Sequence, residues 1–379
     1  MLFTMKTTTL LTILFFLLTI AGCTGQKQAH NNLAPDGTHK VSAEILAEGL
    51  ENPWSMAFLP DGRILIAERP GRIRIFADNE LKPETIEGLP AIWSHGQGGL
   101  LDIVLHPDYE DNRLIYLAYA SQENGIGNTT IARARLEGNS LRDTEVLFKG
   151  DPATDSKYHF GCRIVFDRDK YMYFTIGDRG VMENGQMKSN HHGKVMRLHA
   201  DGSIPNDNPF VGQEDAKPEI WNYGHRNIQG MTLHPVTGQL WSHEHGPKGG
   251  DEVNLEIKGA NYGWPVVSFG INYNGTIITN DTTLPGMTDP LHYWVPSIAP
   301  CGMCFVTSDK YPDWSGNLLV GALAGQQIQR LVFNENNKVV HTEKLFEGMA
   351  RFRDIRQGPD GYIYVLTEGP GLFFRVEVE

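Results

Sequence analysis

Four short polar segments carry the groups in this chain that could do chemistry: HGQGG at 95–99, KYHFG at 157–161, YGHRNIQG at 223–230 and RFRD at 351–354. Each stands just before an apolar stretch. If those stretches converge, Gln97, His159, Arg226, Asn227, Arg351 and Arg353 meet at one mouth. Three arginines held together in a partly buried place repel one another, so the constellation asks for an anionic ligand. A second segment, HEHGPKGGDEVNLEIKGANYGWP at 243–265, has too many bulky aromatics for a plain solvated loop. It also has too many glycines for a packed strand, and so it must hold something.

The elements that would position these groups recur along the chain. WSMAFLPDGRILIAE, LLDIVLHPDYEDNRLIYLAY and CRIVFDRDKYMYFTIGD each read as a strand, an Asp/Gly/Pro turn and a second strand. GMTLHPVTGQLWSHEH, GMCFVTSDKYPDWSGNLLVGA and DIRQGPDGYIYVLTE repeat the pattern. No amphipathic helix of three turns follows the N-terminal region. Six such hairpins imply radial repetition, an all-β fold: a six-bladed β-propeller of four-stranded antiparallel blades. Uneven spacing places long loops after the third and fourth units, where function concentrates. The strand near Val41 to Ala47 is expected to pair with LFFRVEVE at the C-terminus and close the ring.

The chain divides into a signal at 1–22, a polar tether at 23–40 and the propeller at 41–379. Lys6 precedes an uncharged apolar run from Leu10 to Ala21, too short for a bilayer, which needs about 20 residues. The run closes as IAGC, which looks like a bacterial lipoprotein box, so Cys23 is the expected lipidation site, with export to the periplasm and membrane contact only through that lipid. A net charge of −12 argues against a nucleic-acid partner. Cys162, Cys301 and Cys304 form no disulfide framework, and the lone CxxC is a weak metal or redox signal; its two thiols are expected on opposite faces of a strand. HEHG lacks the helical histidine pair of a zinc hydrolase, and no GxSxG elbow or nucleotide fingerprint is present. NHHGK at 190–194 reads as a surface loop.

Longer motifs carry a resemblance. ENPWSMAFLPDGRILIAERPGRIRIF, GQGGLLDIVLHPDY, HFGCRIVFDRDKYMYFTIGDRG and GKVMRLHADGSIPNDNPF are followed by EIWNYGHRNIQGM, EHGPKGGDEVNL, NYGWPVVSFGINYNGT, YWVPSIAPCGMCF and RFRDIRQGPDGYIYVLTE. From about Val41 to the C-terminus the chain resembles the soluble aldose sugar dehydrogenases, relatives of soluble quinoprotein glucose dehydrogenase. These six-bladed propellers use pyrroloquinoline quinone and calcium. The resemblance implies oxidation of aldoses at C1 to lactones, with His159 as general base; an imidazole accepts a proton near neutrality. It implies cofactor contacts from Gln97, Arg226, Asn227, Tyr273, Arg351 and Arg353, and from the Ala322, Leu323, Ala324 turn. Carbonyls of Gly246 and Pro247 would face a calcium ion at the quinone, because proline beside glycines fixes a backbone whose carbonyls converge. Glu252 and the backbone of Tyr262 match a second, structural calcium site. The electron acceptor is left open, and the family is monomeric or dimeric.

Some positions depart from the family pattern. Ala324 stands where some members carry a cofactor-contacting lysine, which implies weaker cofactor affinity. Tyr158 stands where the glucose enzyme has an aspartate, which argues against strict glucose specificity. Two other readings keep the fold. A calcium-dependent lactonase would centre its ion on several acidic and amide side chains, whereas this mouth carries arginines and a glutamine. A propeller binding module that has lost catalysis would not need His159 beside Arg351 and Arg353.

Overall fold

A short antiparallel sheet has an apolar face that it can bury only against another layer. The chain meets this requirement six times, with six sheets of four strands arranged as a β-propeller. The structure is a computed structural model that describes residues 40–378; the expected signal, Cys23 and the tether up to residue 39 lie outside the described residues. Five blades are consecutive hairpin meanders. The sixth takes Arg351–Gln357, Ile363–Glu368 and Phe373–Val378 and completes itself with Val41–Ala47, register Val41 to Val378. This is the closure that the sequence led us to expect.

The first strand of each blade is innermost: Pro53–Phe58, Leu100–Leu105, Ile164–Phe166, Ile228–Leu233, Pro300–Phe305 and Arg351–Gln357. These inner strands touch their neighbours round the ring, including the first against the last. Apolar clusters fill the spaces between blades, as where Tyr116 and Phe148 meet Phe160, Phe174 and Met196. Burying a side chain of this size contributes about 1.5–3 kcal/mol.

Five inner strands carry a register shift near the channel mouth, and the residue left unpaired is Trp54, Leu101, Gln229, Gly302 or Arg353. A bulge inserts one residue into a two-residue period and re-aims its side chain. Four of these five residues line the cavity described below. The long loops also fall where expected; in blade 4 residues 256–291 separate strands Asp251–Leu255 and His292–Trp294.

One expectation is corrected. NHHGK is no surface loop: Asn190, His191, His192 and Lys194 are buried, and Lys194 opens the strand Lys194–Leu198. The reason is polar satisfaction. The Lys194 ammonium donates to the carbonyls of Asn184, Gly185 and His192, and the His192 ring sits among Asn128, Asn184 and the Pro152 carbonyl. Polar residues lie inside when every group finds a partner.

Candidate active site

At the mouth of the channel lies a cavity of about 280 Å³. Its walls include Gln97, Asn227, Leu323, Arg351 and Arg353, all anticipated from the sequence. They also include Trp54, Arg69, Phe160, Gln229, His245 and Glu368, which were not. Glu368 is the resident counterion that the sequence reading overlooked. Its Oε1 accepts from Nε and Nη2 of Arg353 at 2.9 and 2.7 Å, and its Oε2 lies 3.8 Å from Arg351. The arginines therefore do not need a ligand merely to coexist. Even so, three guanidinium groups face one carboxylate, which leaves two positive charges in excess.

His159 flanks this cavity. Its amide donates to Gln97 Oε1 at 2.8 Å, and its backbone sits in the left-handed region at φ 53°. Its Nδ1 lies 2.5 Å from Oδ1 of Asp178, a residue 1 % exposed. Gly180 N–H at 2.7 Å and the indole N–H of Trp264 at 2.9 Å complete the Asp178 acceptor set. Burial pushes the Asp178 pKa up, but the His159 hydrogen bond and charge, Arg226 and the Gly180 amide outweigh it and hold the carboxyl below its usual range. An ionised carboxylate only accepts, so Nδ1 carries the proton and Nε2 keeps a free lone pair. Burial, which outweighs the Asp178 hydrogen bond and is reinforced by Arg226 and Arg179, lowers the His159 pKa, so the ring is neutral at pH 7. Arg179 clamps the loop from below: it donates to the carbonyls of Tyr158 and Ser156 and lies 3.5 Å over the Phe160 ring.

Asp178 has counterparts close by in the other blades. The second strands of three blades end in a largely buried acid, Glu68, Glu244 and Glu368, and in blade 3 Asp178 stands two residues past the strand end at Ile176. Each pairs with a cation or imidazole: Glu68 with Arg72, Asp178 with His159, Glu244 with His225 Nδ1 at 2.7 Å and Glu368 with Arg353.

The segment at 243–265 surrounds a second, very small space of about 20 Å³, room for one water-sized occupant. Arg226, Glu244, Gly246, Pro247, Glu252 and Tyr262 line it. A Cβ on Gly246 would lie 2.3 Å from the Gly250 carbonyl, so the turn requires glycine. Arg226 Nη1 donates to the carbonyls of His245 and Gly246 at 3.0 and 2.9 Å, and Ser297 donates to the Pro247 carbonyl. Burial, with the neighbouring Glu244 carboxylate, pushes the Glu252 carboxyl up to about 8. An acid in that state is stabilised by any cation placed beside it. Among the described residues no group of three or more His, Cys, Asp or Glu side chains is spaced to hold a metal, so a cation here would rest largely on backbone carbonyls. The oxygen-rich set fits calcium.

Three anticipated residues stand apart. Tyr273 is 73 % exposed and lines neither space. Ala322 is buried at a strand end, and Ala324 is exposed on the following turn; of that trio only Leu323 reaches the cavity. Cys162, Cys301 and Cys304 are buried free thiols. Cys301 Sγ accepts from Arg353 Nη1 at 3.3 Å, and Cys304 packs in an apolar cluster.

A propeller whose mouth combines a His–Asp pair with a cationic pocket can place a proton acceptor beside a bound anion. The chain belongs to the glucose/sorbosone dehydrogenase family, whose pattern matches residues 50–375. Aldose sugar dehydrogenase YliI of Escherichia coli K12 is 40 % identical over 334 residues, covering 86 % of this chain and 90 % of that one. Quinoprotein glucose dehydrogenase B of Acinetobacter calcoaceticus is 28 % identical, covering 89 % of each. The PQQ-bound aldose sugar dehydrogenase of Streptomyces coelicolor superposes with a TM-score of 0.74 at 26 % identity, covering 90 % of this chain and 99 % of that one. The protein is an oxidoreductase that acts on small-molecule sugars.

Proposed function

We propose that the protein oxidises aldoses at C1 to lactones, using pyrroloquinoline quinone and calcium, with His159 as the general base. The observation that carries this reading is the His159–Asp178 contact beside a cavity with surplus positive charge. His159 Nε2 takes the proton of the anomeric hydroxyl as C1 loses its hydride. Asp178 holds the ring in the required tautomer and stabilises the imidazolium that forms. Pyrroloquinoline quinone, when bound, supplies the carbonyl that accepts the hydride. Gln97, Asn227, Arg351 and Arg353 would hold its carboxylates and carbonyls, with Arg226 beside them. Gly246 and Pro247 would supply carbonyl oxygens to a calcium ion, and Glu252 and Tyr262 line the same space, which has room for a single ion. Electrons leave to an external acceptor. The protein is exported and anchored at the periplasmic face through lipidated Cys23.

The test is reconstitution of the purified protein with pyrroloquinoline quinone and calcium, followed by dye reduction across a panel of aldoses. Turnover that disappears with a chelator and in His159→Ala supports the reading. Tight cofactor binding without turnover on any sugar moves the substrate elsewhere, and no cofactor binding at all sinks it.

A further inference from the structure

Arg69 has donors to spare and, unlike Arg351 and Arg353, no carboxylate beside it. Arg353 has committed Nε and Nη2 to Glu368 and Nη1 to Cys301. Arg351 donates to the Leu323 carbonyl at 3.3 Å and lies beside Glu368. Arg69 makes one side-chain hydrogen bond, from Nη1 to the Gly96 carbonyl, and among the described residues no carboxylate lies within ion-pair distance of it. Its Nε and Nη2 remain available as donors on the cavity wall. A guanidinium left unneutralised in a half-enclosed pocket, with a free pair of parallel donors, matches a carboxylate.

The residue at position 69 is under no left-handed backbone constraint. Glu68-Arg69-Pro70-Gly71 in blade 1 repeats as Glu368-Gly369-Pro370-Gly371 in blade 6, each starting from a strand-end acid. Gly369 in blade 6 takes φ 53°, a demand for glycine that Arg69 does not share. The fold also makes room for the arginine. A Cβ on Gly99 would lie 2.1 Å from the Arg69 carbonyl oxygen and 2.5 Å from its Cγ, so only glycine seats this stem. The Gly96 contact places Arg69 next to Gln97, the residue that receives the His159 amide.

We infer that Arg69 is a cofactor-binding residue whose guanidinium takes one carboxylate of pyrroloquinoline quinone. The inference rests on the cofactor reading above and adds a binding residue to it. A carboxylate could also come from an acidic sugar; the cofactor is the better match, because the surplus charge of the cavity exceeds what one substrate carboxylate neutralises.

Pyrroloquinoline quinone is titrated into the apoprotein while tryptophan fluorescence is followed, with Trp54 on the cavity wall as the built-in reporter. Arg69→Gln weakens the Kd by about 10- to 100-fold, the range for losing a hydrogen-bonded charge pair. It also makes the Kd less sensitive to salt, and Arg69→Lys recovers part of the loss. The melting temperature of the Arg69→Gln apoprotein stays at the wild-type value, which separates lost binding from lost folding. Unchanged affinity in Arg69→Gln overturns the inference. Unchanged affinity with a raised KM for glucuronate but not glucose assigns the arginine to substrate and equally overturns it. Unchanged affinity with a lowered kcat shows a positioning role through Gly96 and also overturns it. A wild-type protein that does not bind the cofactor removes the reading beneath the inference, a result distinct from all of these.

Discussion

His159 Nδ1 lies 2.5 Å from Asp178 Oδ1, and the other oxygen of the same carboxylate accepts the Trp264 indole N–H at 2.9 Å. One buried acid in blade 3 thus ties the proposed base to the long loop of blade 4. The contact sets the tautomer, so the direction of the imidazole's free lone pair is decided by a residue nineteen positions away.

Asp178→Asn is expected to lower kcat by about 100-fold or more while the far-ultraviolet circular dichroism stays unchanged, since general-base catalysis contributes on that scale. In the wild type, kcat/KM should fall on the acid side with an apparent pKa below 6.5, because burial holds His159 below its ordinary value. A limb centred at or above 6.5 would contradict the neutral, buried base.

Glu368→Gln leaves Arg353 buried without its carboxylate. Breaking one side of such a pair costs about 3–5 kcal/mol. The apoprotein should melt several degrees lower, and an anionic cofactor should restore more stability to this variant than to the wild type. Calorimetry of both proteins with and without cofactor checks the difference; equal increments would refute it.

Lys194→Met removes an ammonium that caps three carbonyls, those of Asn184, Gly185 and His192. The Asn184 and Gly185 carbonyls keep backbone donors in Met187 and Gly224, so the His192 carbonyl is the acceptor that loses its partner, at about 1–3 kcal/mol. Asn184 also donates to the Asp178 carbonyl at 3.0 Å, so kcat should fall along with the urea midpoint. A variant with wild-type stability would show that water replaces the ammonium without loss.

Stability should decline in acid. Burial pushes His192 and His243 down to about 3 each. The unfolded chain binds these protons near 6.5, so between the two values it holds more protons than the folded protein. The contribution is complete above about pH 6.5 and is lost as pH falls toward 3, at about 1.4 kcal/mol per pH unit for each histidine. Urea unfolding at pH 7, 6, 5 and 4 measures the slope; a flat profile would count against both buried rings.

The period-2 strands, the turns between them and the six-fold recurrence are local properties, and they determined the propeller, its closing strand and the loops at its mouth from sequence alone. The four polar segments at or ahead of inner strands likewise named Gln97, Asn227, Arg351 and Arg353. Tertiary structure decided the rest. Trp54, Leu101 and Gln229 reach the cavity because a bulge shifts each out of the alternation that a sequence displays. Asp178 and Glu368 stood in plain view at the ends of repeated units. Their partnership with His159 and Arg353 exists only once the second strand of a blade folds back beside the first. NHHGK could lie inside only because carbonyls distant along the chain arrive to meet it. Local pattern fixes which face of a strand is apolar; which charge meets which is settled where strands and loops close on one another.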